Sequence, residues 1–110
     1  MKTVAQIKAG VCGFNTLVQA DCIDGQNVEL HIESDCEKIK TLSQTIKQHN
    51  PVDAYAEVFG AQNNVLSLAR DQLSGCCAGC VVPAGIFKTI QTSSRLALPQ
   101  EIHIKISVQE

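Results

Sequence analysis

The most reactive feature of this chain of 110 residues is its six cysteines: Cys12, Cys22, Cys36, Cys76, Cys77 and Cys80. A soft metal ion or an iron–sulfur cluster takes four thiolates, supplied by distant parts of a fold or by one compact loop. Cys77-Ala78-Gly79-Cys80 offers a local pair, and Cys12 and Cys36 complete a set of four. Between Cys12 and Cys36 lie 23 residues, and between Cys36 and Cys77 lie 40. Such gaps match neither a bacterial ferredoxin run nor a second zinc knuckle, so the fold itself must gather the ligands. Adjacent side chains diverge, so Cys76 and Cys77 cannot both face one centre. The spacing to Cys80 favours Cys77, with Cys76 as its replacement. Cys22 stands on an apolar stripe and reads as core, because a buried free cysteine packs as a small hydrophobe.

Composition narrows the surrounding chemistry. Nine Lys and Arg against eleven Asp and Glu give a net charge of −2, with one Tyr, three Phe and no Trp. A nucleic-acid surface needs a positive field and stacking platforms, and neither is evident. With 45% hydrophobic and 18% charged residues, the chain is expected to fold as one domain over residues 1–110 with an aliphatic core. No apolar stretch approaches the roughly 20 residues of a membrane-spanning helix, and Met1 to Lys8 holds no signal-peptide core. The expected compartment is therefore the cytoplasm, where reduction disfavours structural disulfides and leaves metal binding or thiol chemistry as the use for the cysteines. A secreted, disulfide-stapled domain is the alternative. A hydrolase triad, a glycine-rich phosphate loop and paired carboxylates at a pocket are all missing from the pattern. His31, His49 and His103 read as solvated.

The elements that position the cysteines follow from periodicity. Ala5, Ile7, Ala9 and Val11 alternate with polar neighbours as a first strand that stops at Gly10 to Gly13, leaving Cys12 at its end. Val18, Ala20 and Cys22 mark a second strand, Asp24-Gly25-Gln26-Asn27 a turn, and Val28, Leu30 and Ile32 a third strand with Glu29, His31 and Glu33 on a wet face. Ser34-Asp35-Cys36-Glu37 has the spacing of a capping box and opens a helix whose inward stripe is Cys36, Ile39, Leu42 and Ile46. Between Pro51 and Leu73 two short helices are expected, broken at Gly60, with the apolar residues Tyr55, Val58 and Phe59 in the first and Val65, Leu66, Leu68, Ala69 and Leu73 in the second. Pro83 suits the first turn of a further helix with Ile86, Phe87, Ile90 and Ala97 inward, stopped by Pro99. Glu101 to Val108 alternates cleanly and reads as a last strand.

The expected order is β-β-β-α-α-α-β, an α+β domain with a four-stranded mixed sheet and helices packed on one face. In it the last strand runs parallel to the first or third. Chain direction then brings Cys12, Cys36 and the Cys76 to Cys80 segment to one sheet edge and sends Cys22 to the opposite edge. Cys36 and Cys80 fall at or just before helix starts, where free N–H groups favour thiolates and anionic clusters.

Cys12-Gly13-Phe14, Ser34-Asp35-Cys36, the segment from Cys80 to Ile86 and Leu96-Ala97-Leu98-Pro99 resemble a family of short, uncharacterised cysteine-containing proteins of anaerobic bacteria and archaea. The resemblance spans nearly the whole chain and implies an anaerobic host, which suits an oxygen-sensitive cluster, but it implies no activity.

Together these readings predict a metal centre held by Cys12, Cys36, Cys77 and Cys80, an iron–sulfur cluster of the [4Fe–4S] type, in electron transfer or redox sensing with a redox protein partner. Structural zinc is the first alternative, a metal-free thiol redox protein using Cys77 and Cys80 the second, and a metal-free interaction module the third. A carrier or sensor is expected rather than an enzyme. The wet sheet face, with Glu29, His31 and Glu33 beside His103, Lys105 and Ser107, is a candidate surface for a homodimer or for that redox partner.

Overall fold

A computed structural model describes residues 1–60 and 64–109, apart from the side chains of Asn64 and Cys76. Three strands come first: β1 (Lys2–Lys8), β2 (Asn15–Cys22) and β3 (Asn27–Ser34). Then follow α1 (Glu37–Lys47), a two-residue β4 (Val52–Asp53), α2 (Ala54–Phe59), α3 (Asn64–Gln72), a 3-10 turn at Gly75–Gly79 and α4 (Val82–Ser93). The strands lie in sequence order and every neighbouring pair is antiparallel.

The period of two decides which way each strand faces. Val18, Ala20, Cys22, Val28 and Leu30 are buried, while Val4, Gln6, Gln19, Glu29 and His31 on the other face are exposed. Helices cover the apolar face: α1 lies over β3, α4 lies over β1 and β2, and α3 sits against both helices. The Gln72 Nε2 donates to Thr45 Oγ1 at 2.9 Å, fixing α3 to α1. Ile39, Leu42 and Ile46 from α1, Val65 and Ala69 from α3, and Val82, Ile86 and Ile90 from α4 join the strand residues in one core cluster.

Helix α4 comes close to β1 at Gly85, where an added methyl group would overlap Ile7 Cδ1 and stand 3.1 Å from Ile7 Cγ1. Glycine is poor in a helix interior, so close approach is the reason for it. The contact places the start of α4 beside the end of β1.

Several expectations are corrected. The sheet is antiparallel throughout rather than mixed, because its fourth strand is Val52–Asp53, paired with Asn27 and Val28, and not the segment 101–108. That segment belongs to no helix or strand and every residue in it is exposed. Alternation encodes a preference for two faces, while pairing needs a partner backbone, and here none is supplied. His103, Lys105 and Ser107 therefore do not extend the wet sheet face. Helix α4 ends at Ser93, six residues before Pro99, so Ala97 lies outside it. Its end is a Schellman motif: Arg95 takes a left-handed φ of 66°, the Arg95 N–H donates to Thr92 O at 3.1 Å and the Leu96 N–H to Gln91 O at 2.7 Å.

The capping box does not form. Cys36 is the N-cap of α1 without a side-chain cap, and Ser34 Oγ instead accepts the Cys36 N–H at 3.1 Å while bonding Thr16 Oγ1 at 2.8 Å. In α2 the apolar stripe faces outward. Tyr55 and Phe59 are exposed and stack with ring centroids 5.9 Å apart, whereas Ala54 and Glu57 are buried. The Glu57 carboxylate accepts the Val65 N–H at 3.2 Å in the first turn of α3. A six-residue helix is too short for its apolar period to choose a face, and satisfying the orphan donors of the next helix decides it instead.

Candidate metal centre at the sheet edge

Each candidate ligand reaches the same end of the sheet by a different route. Lys8 pairs with Asn15, and Thr16 with Ser34, so the β1–β2 hairpin and the exit of β3 share one edge. In the hairpin the Gly13 N–H donates to Gly10 O at 2.9 Å, closing a turn with Val11 and Cys12 at its tip. Both glycines take positive φ, 90° and 73°, a conformation that most side chains resist. Cys12 is consequently exposed.

Cys36 is held beside this hairpin by backbone bonds. The Asp35 N–H donates to Asn15 O at 3.1 Å, and the Asn15 N–H donates to Asp35 Oδ2 at 3.3 Å. The Cys36 side chain is half-buried and packs against the core. Cys77 and Cys80 lie in and just after the 3-10 turn, joined by a Cys80 N–H to Cys77 O bond of 3.1 Å, and both pack against the core from an intermediate position. Because α4 starts beside Ile7, the Cys80 end of this segment meets the same edge.

The electrostatics register that meeting. Partial burial pushes the Cys80 thiol above its ordinary value, a hydrogen bond from the Val82 N–H opposes the rise, and the thiolate charges of Cys12, Cys36 and Cys77 add to it. Cys12, Cys36 and Cys77, from three separate stretches of chain, therefore each lie within electrostatic reach of Cys80. Among the described residues no three His, Cys, Asp or Glu side chains stand at the spacing of a single-ion cage. The Cys76 side chain, the alternative to Cys77, lies outside the described residues. Cys22 pairs with Val28 near the opposite end of the sheet and is buried.

The histidines stand apart from the cysteines. His31 contacts Glu33 at 3.0 Å and His103 contacts Glu101 at 3.1 Å, both exposed, and His49 is exposed beyond α1. Sequence reasoning missed Glu57, and only its unusual place among apolar neighbours on a short helix could have singled it out. No helix among the described residues is long and apolar enough to cross a membrane.

Fold and site together define a small α+β domain with an antiparallel sheet, helices on one face and a group of cysteines at one sheet edge. The chain belongs to a family of unknown function (DUF6951), which it matches over residues 3–106. Searches of curated proteins and of solved structures returned no match.

Proposed function

We propose that this protein holds an iron–sulfur cluster of the [4Fe–4S] type through Cys12, Cys36, Cys77 and Cys80, and serves in electron transfer or redox sensing with a redox protein partner in the cytoplasm. The observation that carries this reading is that the β1–β2 hairpin, the α1 N-terminus and the start of α4 meet at one end of the sheet, which brings the Cys12, Cys36 and Cys77–Cys80 stretches to that end. The donor set fits the group, since thiolates are the usual ligands of such clusters and a bound cation centre favours their deprotonated form. When bound, the cluster would supply a one-electron redox couple. An anaerobic host, implied by the sequence resemblance, suits its sensitivity to oxygen.

A thiol-only role for Cys77 and Cys80 is less well supported. Thiol oxidoreductases of the thioredoxin kind carry such a pair between a strand and a helix, whereas here α3 and the 3-10 turn precede it.

Metal analysis of anaerobically purified protein tests the proposal. The expected result is brown protein with about four irons per chain, and loss of most iron in each of Cys12→Ser, Cys36→Ser and Cys80→Ser. Comparing Cys76→Ser with Cys77→Ser identifies the fourth ligand. Colourless protein with one zinc per chain would transfer the reading to a structural ion, and metal-free protein would end both.

A further inference from the structure

The segment 101–109 carries a strand pattern with no strand partner. Ile102, Ile104, Ile106 and Val108 are 56 to 89% exposed and form one row. Glu101 and His103 meet side by side at 3.1 Å, as residues two apart do on one side of an extended chain. No backbone hydrogen bond among the described residues reaches this segment. It stands out from the body, and the molecule measures 49 Å along one axis against 27 Å along the other two.

The sheet has two edges, and only one can receive a strand. On the β3 side, β4 pairs with Asn27 and Val28, and the Asn50 side chain occupies Leu30 by donating to its carbonyl at 2.9 Å and accepting its N–H at 3.2 Å. On the other side β1 pairs with β2 alone, over seven residues, and its outer edge is unpaired among the described residues. The core is also thin there. Thr3, Ala5 and Ile7 point inward yet are only half-buried, whereas the inward residues of β2 are buried.

We propose that segment 101–108 of one chain adds as a fifth strand to the open β1 edge of a second copy, and that the exchange is reciprocal. The apolar row from Ile102 to Val108 spans as many positions as β1. With that row turned toward Ala5 and Ile7, its polar row joins Lys2, Gln6 and Lys8 on the outer face. A lysine stands at each end of β1, so Glu101 falls opposite one of them whichever way the strand runs. Pro99 disfavours a helical conformation at Leu98, and from Leu98 to Gln109 the chain is exposed. Reciprocal exchange gives a closed two-fold dimer and removes the open edge that would otherwise template aggregation. The proposal is independent of the metal centre.

Light scattering of the full chain under reducing conditions, with and without metal, should give twice the 11.8 kDa chain mass. Truncation after Gln100, or Ile104→Pro, should give a monomer that keeps the helical far-UV circular dichroism, since residues 101–109 are exposed in the single chain. Amides of β1 and of residues 102–108 should exchange slowly in the dimer, and those β1 amides that do not bond β2 should exchange fast in the truncated chain. A monomeric full chain with protected 102–108 amides would mean docking on its own edge and would overturn the proposal. So would a dimer that persists in either variant, or an assembly larger than two.

Discussion

Asp24 organises the β2–β3 turn with one carboxylate. Its Oδ1 accepts the N–H groups of Gln26 at 3.0 Å and Asn27 at 2.8 Å, and its Oδ2 accepts the Asn27 amide at 2.7 Å. These bonds, that from the Asn27 N–H foremost, hold its pKa down at about 2. A folded-state pKa below the unfolded one stabilises the fold above the unfolded value and ceases to do so as pH falls through the folded one. Asp24→Ala should accordingly lower the denaturation midpoint at pH 7, and its difference from the parent should shrink between about pH 4 and pH 2. An undiminished difference at pH 2 would mean that the carboxylate charge is irrelevant. Cys22 is buried on the apolar face of β2. Cys22→Ser places a hydroxyl in the core and should cost about 1–3 kcal/mol in urea unfolding while leaving metal content intact. Metal loss there would contradict the edge assignment.

Among the elements, legibility followed length and completeness of pattern. Strands β1 to β3 and the stripe of α1 were readable because seven or more residues repeat one period and each finds the partner its pattern implies. Helix α2 and its stop at Gly60 were readable but its buried face was not, because six residues are too short to choose a face; β4 is too short to carry a period at all, and segment 101–108 has a pattern without a partner. The end of α4 was hidden for another reason, because Arg95 occupies the left-handed position where glycine usually announces a stop. Arg95→Gly should therefore raise stability by about 0.5–1 kcal/mol, read from thermal unfolding, by relieving a strained residue. The approach of α4 to β1 makes a second prediction. Gly85→Ala should be more favourable in an Ile7→Ala background than in the parent, with a coupling of about 1 kcal/mol in a double-mutant cycle. Additive effects would show that Ile7 does not fix the helix position.

At the level of the whole molecule, the cysteine edge was legible as a set of chain directions, since two antiparallel reversals suffice to bring Cys12 and Cys36 to one end. The return of Cys80 depended on α4 descending along β1, which Gly85 secures but which periodicity alone could not. Because the four thiols come from three stretches of chain, a bound centre would tie the turn before α4 to the hairpin and the α1 N-terminus, which already meet through the Asn15–Asp35 hydrogen bonds. Removing metal with a chelator should leave the far-UV spectrum unchanged, as the aliphatic core contains none of Cys12, Cys36, Cys77 or Cys80 among its fully buried members. The melting temperature should fall, in line with a linkage contribution of about 2.7 kcal/mol when ligand exceeds its Kd a hundredfold. Complete unfolding on chelation would instead make the metal part of the fold itself.

The outward stacking of Tyr55 on Phe59 gives the protein a light source of its own. With one tyrosine and no tryptophan in the chain, ultraviolet emission comes from a single known position at the surface. An absorbing centre at the sheet edge would drain that emission by energy transfer across a body 27 Å wide. Tyr55 fluorescence should then brighten as the centre is lost, so that occupancy can be followed in real time without any added dye.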